Sequence, residues 1–134
     1  MQQATYEKTT HGIRVVAMPI YLEDQSAPDE NHYVWAYNIT LENHSSQVVQ
    51  LESRYWQITD GHGRIQEVRG PGVVGEQPVL SPSERFEYQS GVPLSTPSGF
   101  MVGTYTFVMK NGDRVEVDIP AFSLDSPYTP KNLH

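Results

Sequence analysis

The stretch that decides the fold is Tyr33-Val34-Trp35-Ala36-Tyr37-Asn38-Ile39-Thr40-Leu41. Its large apolar and aromatic side chains stand at every odd-numbered position from 33 to 41. A repeat of two places these side chains on one face of an extended strand, whereas a helix needs a repeat near 3.6. The pattern predicts a β-strand whose odd-numbered face is buried.

The repeat of two recurs along the rest of the chain. Ten Gly and ten Pro residues separate the apolar segments and supply turns between them. About seven strands at short spacing predict an all-β fold, a two-sheet antiparallel sandwich of the fibronectin type III or immunoglobulin-like kind, with Trp35 and Trp56 in its core. A small barrel is the second architecture that fits. Further strands are predicted at residues 13–21, 48–58, 64–68 and 85–90, with an acidic loop at 23–31.

The register of the last hairpin follows from its side chains. A two-residue Asn-Gly loop would place aromatic residues opposite carboxylates, which is unfavourable on a buried face. A three-residue loop that ends on Gly112 as a left-handed bulge avoids this. It pairs Phe107 with Val115 and Tyr105 with Val117, so we predict this loop and an inner face formed by these residues.

Composition limits the class of protein. The 134 residues carry 16 acidic and 9 basic side chains, with a formal charge of −7 and no cysteine. Because the basic residues form no cluster that could neutralise phosphates, no nucleic-acid ligand is predicted. No segment approaches the roughly 18 apolar residues of a membrane span, so we expect a cytoplasmic protein that does not contact a membrane. The length predicts one domain over residues 1–134, with an ordered core at about 10–125 and an extended C-terminal tail at 126–134.

One segment has the glycine spacing of dinucleotide-binding folds: Arg69-Gly70-Pro71-Gly72-Val73-Val74-Gly75-Glu76-Gln77-Pro78. In those folds G-x-G-x-x-G leads from a strand into a helix, whose N-terminus receives the pyrophosphate. Here Pro78 and Pro82 leave no room for such a helix, so a loop between strands is predicted. Amides held open at Gly70, Gly72 and Gly75 could still bind a small anion or a nucleotide phosphate. The alternative is that these three glycines serve the structure of the loop, by allowing close backbone packing and positive φ.

Two arginines give the anion-binding hypothesis a physical basis. If Thr59 and Arg64 flank a four-residue loop, the hairpin places Arg69 directly opposite Arg54. Opposed cations destabilise a sheet unless they are neutralised. A phosphate or carboxylate held by both guanidinium groups would neutralise them, and diagonal ion pairs with neighbouring glutamates are the alternative.

The glycine loop is also long and apolar over residues 70–82. Long ordered loops of this composition are typical of contact surfaces. The same residues could instead fold over the open end of the sandwich and close its core. The candidate partner-binding residues are Val73, Val74, Pro78, Val79 and Leu80.

The sequence predicts no catalytic, cofactor or metal site. No Gly-x-Ser-x-Gly elbow is present, so the arrangement of an activated serine is missing. Asp60 and His62 share one turn, but a transition-metal site needs three or four convergent ligands. We therefore expect Asp60 to make an Asx hydrogen bond within its turn.

Seven segments in this order resemble the ApaG family: EDQS at 23–26, YNITLEN at 37–43, LESRYWQITDG at 51–61, GPGVVGEQP at 70–78, YQSG at 88–91, GFMVGTY at 99–105 and IPAFSL at 119–124. The resemblance implies a fibronectin type III-like sandwich in a small bacterial cytoplasmic protein. The same type of domain occurs in a eukaryotic F-box ubiquitin-ligase subunit and in a protein that interacts with DNA polymerase delta, where it is taken to mediate protein contacts. The family is also called CorD and is associated with cobalt resistance and magnesium efflux. The resemblance therefore implies a non-enzymatic interaction module.

Overall fold

The strands are arranged in two antiparallel sheets. A computed structural model describes residues 4–128. Its strands are β1 (Tyr6–Thr10), β2 (Ile13–Tyr21), β3 (Tyr33–Asn43), β4 (Val49–Asp60), β5 (Ile65–Pro71), β6 (Val79–Leu80), β7 (Arg85–Leu94), β8 (Ser98–Met109) and β9 (Arg114–Asp125). One sheet has the order β1-β2-β3-β7 and the other β5-β4-β8-β9, with β6 paired to the β5 side of β4. This arrangement confirms the predicted all-β, two-sheet antiparallel sandwich.

The core between the sheets has an aromatic centre. Trp35 and Trp56 are both buried, as predicted. Trp56 packs edge-on against Tyr37 and Tyr105, with ring centroids 5.4 and 6.4 Å apart. Such pairs add about 0.5–1.5 kcal/mol beyond the burial of their area. The Trp35 indole donates a hydrogen bond to the Asp125 carbonyl at 3.0 Å, which ties the end of β9 to the opposite sheet.

The last hairpin has the predicted register. Phe107 pairs with Val115 and Tyr105 with Val117, and three of the four are fully buried. Gly112 has φ 90° and donates its amide to the Met109 carbonyl at 2.9 Å. These contacts confirm the three-residue loop and its left-handed glycine.

The β4 strand changes its buried face along its length. Odd-numbered residues such as Leu51 face the core at its start, and even-numbered ones such as Trp56 face it afterwards. The cause is a bulge at Glu52, because the register against β8 shifts between Leu51 and Ser53. The bulge turns Arg54 toward the inner face, where an unbroken alternation would have turned it outward.

The β5 strand lies at the edge of its sheet. None of its seven residues is buried. After β9, Pro127 and Tyr128 form a turn, and the rest of the predicted C-terminal tail, residues 129–134, lies outside the described residues. Within residues 4–128, no helix is long and apolar enough to span a membrane.

Candidate functional site

The pairing of β4 with β5 corrects the predicted register by one residue. Tyr55 pairs with Arg69, and Arg54 pairs with Gly70. The predicted opposition of Arg54 and Arg69 is therefore wrong. Side chains alternate between the faces of a strand, so Arg54 points inward and Arg69 points outward. No repulsion between these two cations across the ladder remains for a bound anion to relieve.

Loop length explains the difference in register. The Asp60 amide donates to the Arg64 carbonyl at 3.0 Å, so three residues, 61–63, form the loop instead of four. Gly63 has φ 81° and donates its amide to the Asp60 carbonyl at 3.0 Å. Gly112 makes the equivalent bond in the last hairpin. The two hairpins thus use the same turn, with a glycine at its left-handed position.

Arg54 fastens the start of the glycine loop. Its Nη1 donates to the Pro71 carbonyl at 3.1 Å and to the Gly72 carbonyl at 2.9 Å. Gly70 leaves room for the guanidinium, because a Cβ there would lie 3.0 Å from Nη1. The first glycine of the G-x-G-x-x-G spacing therefore has a packing role.

Three tyrosine hydroxyls lie in the core within the electrostatic reach of Arg54. The hydroxyls of Tyr88 and Tyr105 are 2.5 Å apart and hydrogen-bonded to each other. Burial raises the pKa of Tyr88, Tyr105 and Tyr37, and the positive charge of Arg54 partly opposes each shift. Arg54 thus joins the glycine loop to a neutral, hydrogen-bonded cluster inside the sandwich.

The glycine segment ends in a tight two-residue turn. The Val73 amide donates to the Glu76 carbonyl at 2.8 Å, and the Glu76 amide donates to the Val73 carbonyl at 2.8 Å. Between them, Val74 has φ 43° and Gly75 has φ 81°. Two positive φ values are characteristic of a type I′ turn, in which Asn-Gly is the preferred pair. Gly72 also has positive φ, and a Cβ on it would lie 2.2 Å from the Glu76 carbonyl oxygen, so only glycine fits.

This turn already uses amides that a phosphate would need. The Gly72 amide donates to the Glu52 carbonyl at 2.9 Å, and the following amide closes the tight turn. The depression beside Arg69, about 480 Å³ in volume, is also lined by Glu116, whose carboxylate charge would disfavour an anion. Phosphate binding by this segment stays a prediction, and each of its glycines has a structural reason.

On the outer face of the sheet, Tyr55 holds two opposite charges side by side. The Arg69 guanidinium lies 4.2 Å from the centroid of the Tyr55 ring. The Tyr55 hydroxyl donates to the Glu67 carboxylate at 2.5 Å, and Arg69 lies 3.9 Å from the same carboxylate. An exposed cation–π contact contributes about 0.5–1 kcal/mol. Glu67 and Arg69 thus lie side by side on an exposed strand, both in contact with Tyr55.

The five apolar candidates for partner binding separate into two groups. Val73 and Leu80 are buried in the core, so for these two the core-closing role replaces the predicted partner contact. Val74 and Val79 are 54% and 55% exposed, and Pro78 is half-buried. The exposed apolar surface of the loop is therefore that of Val74 and Val79.

The Asp60 turn has a structural role. Its Oδ1 accepts hydrogen bonds from the His62 amide at 2.9 Å and the Arg64 amide at 3.0 Å, as expected of an Asx turn. Among the residues that the structure describes, no group of three or more His, Asp or Glu side chains could hold a metal ion. The turn accordingly fixes the hairpin that carries β5.

The exposure of β5 is not among the predicted features, although the sequence contains a signal for it. Ile65 and Val68 have opposite parity, so β5 cannot bury both on one face. In the structure Ile65 is 60% exposed and Val68 is half-buried. The β4 bulge has a similar signal, because the apolar residues change parity between Leu51 and Trp56.

Comparison with known proteins gives one consistent family. The ApaG domain matches residues 23–109. A protein of Rhodospirillum centenum named Protein ApaG is 60% identical over 123 residues, which cover 92% of this chain and 95% of that protein. A protein of the same name from Parvibaculum lavamentivorans is 56% identical over 129 residues, covering 96% of this chain and 99% of that protein.

Solved structures agree with the sequence relatives. A crystal structure of a Bordetella pertussis protein described under the name ApaA superposes with a TM-score of 0.83 at 49% identity. The match covers 92% of this chain and 97% of that one. The similarity extends over nearly the whole chain, so the sandwich and its loops share one origin with these proteins.

Proposed function

Since this chain belongs to the ApaG family, we propose that it is a non-enzymatic protein-interaction module whose exposed valines, Val74 and Val79, contact another protein. The proposal concerns a surface and involves no reaction. It differs from a nucleotide-binding function because it uses the apolar side chains of the glycine loop and leaves the loop amides in their present hydrogen bonds.

The backbone of Val74 carries the proposal. Val74 has φ 43°, a left-handed conformation that costs an L-residue about 1–2 kcal/mol. A β-branched residue is rare there, whereas asparagine would suit the turn and present a polar group to water. More than half of the Val74 side chain is nevertheless exposed. Valine is unfavourable both in this turn position and in contact with solvent. Its presence there supports a contact with another protein.

The proposal also covers the cation phenotypes that the family resemblance implies. We expect any link to cobalt resistance or magnesium efflux to act through a partner protein in the cytoplasm. No cation bound by this chain is then required. Under this proposal ATP and other phosphates are not ligands of the chain.

The test is affinity capture with matched variants. The tagged chain is used to capture proteins from its own host, and each candidate is then purified and titrated. Val74→Asn with Val79→Thr removes both exposed valines, and Asn suits the turn, so the fold is retained. Phe100→Thr is the control because Phe100 is another exposed apolar side chain, 45% accessible, outside the loop.

The expected result is a purified partner that binds the wild type and the Phe100→Thr variant equally, and the double valine variant at least about tenfold more weakly. A tenfold loss corresponds to about 1.4 kcal/mol of binding free energy. If partners bind the double variant as tightly as the wild type, the valines are not the contact surface.

A further inference from the structure

We propose that a second copy of this chain pairs with β5 edge to edge, in an antiparallel register centred on Val68. The two edge strands would join the two β5-β4-β8-β9 sheets into one continuous sheet. This inference goes beyond the interaction module proposed above, because it concerns a different surface and a defined partner.

The outward hydrogen-bonding groups of β5 belong to its odd-numbered residues. At one end of the β4–β5 ladder the Asp60 amide donates to the Arg64 carbonyl, and at the other the Gly72 amide donates to the Glu52 carbonyl. Both bonds belong to even-numbered pairs, so even-numbered residues of β5 bond to β4. The backbone groups of Ile65, Glu67 and Arg69 therefore point away from the sheet. Pro71 occupies the last outward position, where its missing N–H leaves the ladder intact.

The charges on this edge select one register for self-pairing. In the register centred on Val68, Glu67 of each copy lies opposite Arg69 of the other, which gives two reciprocal ion pairs. Centring on Glu67 would oppose two carboxylates, and centring on Arg69 would oppose two guanidinium groups. Opposite charges across a strand pair stabilise it and like charges destabilise it. The alternation of sign thus favours one register and disfavours its neighbours.

The same register uses the whole strand. Val68 is the fourth of the seven residues of β5, so a twofold axis there places Ile65 opposite Pro71 of the second copy and leaves no overhang. In this end pair the Pro71 carbonyl can accept a hydrogen bond from the Ile65 amide, but the Pro71 nitrogen has no N–H to donate. Val68 then packs against Val68 of the second copy on the inner face. A C2 contact of this kind is self-complementary by construction.

The free edge of β7 offers a useful contrast. It carries Arg85 and Glu87, whose charges would also pair across a twofold axis, but that axis would lie at Phe86. Since β7 begins at Arg85 and continues to Leu94, only its first three residues would pair. The β7 edge has the charges without the central position, so it provides a matched control.

The interface expected from one strand edge is small. A contact of seven residues on each side lies at the low end of the range for specific complexes, below about 1,200 Å² in total. We therefore expect an equilibrium between monomer and dimer that depends on concentration. Light scattering after size exclusion, at loading concentrations from about 10 μM to about 1 mM, covers the corresponding affinity range.

A single thiol gives the sharpest test. The chain has no cysteine, so Val68→Cys introduces one thiol at the proposed twofold axis. Opposed residues in a non-hydrogen-bonded pair have Cα atoms about 4.5 Å apart, within the range that a disulfide spans. Gln66→Cys is the control, since residue 66 would face Gly70 of the second copy. Mild oxidation should give a disulfide-linked dimer at least about tenfold faster with Val68→Cys than with Gln66→Cys. Each thiol of the Gln66→Cys variant lies about two residues, or 7 Å, from the twofold axis.

Charge reversal tests the register independently. Glu67→Arg and Arg69→Glu should each shift the chain to monomer, because each opposes like charges. The double variant, Glu67→Arg with Arg69→Glu, restores both ion pairs and should restore the dimer. Glu87→Arg, on the β7 edge, should leave the dimer unchanged.

Three results would overturn the proposal. They are a monomer at all concentrations, equal crosslinking of Val68→Cys and Gln66→Cys, and a dimer that the single reversals leave intact. All of these measurements use the chain alone. If they show no dimer, the proposal that Val74 and Val79 contact another protein still stands. If affinity capture finds no partner, the dimer measurements are unaffected.

Discussion

Two glycine turns of this molecule differ in how well their residues suit them. In the turn between β8 and β9, Asn111 and Gly112 occupy positions that their chemistry favours, and Gly112 takes the left-handed conformation. In the turn after β5, Val74 and Gly75 both have positive φ, although valine is unsuited to it. The first turn is predictable from its residues because their local preferences agree with its geometry. The second holds a strained, exposed valine, as expected where a contact with another molecule is maintained at the expense of stability.

Among the changes that test this comparison, Gly72→Ala should lower the free energy of unfolding most. Alanine would combine the cost of φ 60° with a Cβ placed 2.2 Å from the Glu76 carbonyl oxygen. We expect a loss of about 3 kcal/mol or more in the free energy of unfolding, or about 10 °C in the melting temperature. An unchanged denaturation midpoint would show that the tight turn is not held by this close approach.

Alkaline pH should have the next largest effect, because it acts on the tyrosine cluster near Arg54. Burial raises the pKa of Tyr88 and Tyr105 in the folded state above the ordinary value of 10.0. Below pH 10.0 these tyrosines stay protonated in both the folded and the unfolded state, so they do not lower the free energy of unfolding. As the pH rises above about 10, the unfolded chain ionises while the buried hydroxyls do not, so the unfolded state gains stability.

Thermal unfolding between pH 8 and about pH 11 measures this loss. The control replaces both residues, Tyr88→Phe with Tyr105→Phe, since one substitution alone would leave the other hydroxyl without its partner. The double variant should lose less stability than the wild type over the same pH interval. Equal losses would mean that these tyrosines are not the groups responsible.

Gly75→Ala and Gly112→Ala should have intermediate and equal effects. Both glycines have positive φ, at 81° and 90°, and neither has an atom within 4 Å of the place that a Cβ would occupy. Each variant should therefore lose only the conformational cost, about 1–2 kcal/mol. Chemical denaturation of the two variants side by side would contradict this if one of them lost much more than the other.

Val74→Asn should have a smaller effect of the opposite sign. Asparagine tolerates the left-handed conformation, so the variant should gain up to about 1 kcal/mol in stability. Asn111→Val, the reverse exchange in the last hairpin, should not stabilise the chain. A loss of stability in Val74→Asn would show that the valine makes a favourable contact within the folded chain and would weaken the argument for a partner.

How far the sequence can predict this structure depends on particular residues. The last hairpin is predictable because Tyr105 and Phe107 tolerate only one pairing. The predicted β4–β5 hairpin is wrong by one residue because it assumes a four-residue loop, although Gly63 supplies the same signal as Gly112. The inward direction of Arg54 does not follow from local sequence, since it depends on the bulge at Glu52. The exposed apolar surface of residues 70–82 is predictable only in part, because burial within this segment depends on how the loop folds onto the core.

We propose that residues 70–78 connect β5 to β6 through a tight turn shaped by packing, and that they do not bind phosphate. The most direct measurement follows the backbone amide signals of residues 69–76, with the melting temperature, as millimolar ATP or pyrophosphate is added. We predict no localised amide shift and an unchanged melting temperature. A phosphate site at about 100 times its dissociation constant would instead add about 2.7 kcal/mol of apparent stability. A rise of several degrees that Arg69→Ala abolishes, with amide shifts at residues 70–75, would contradict the claim.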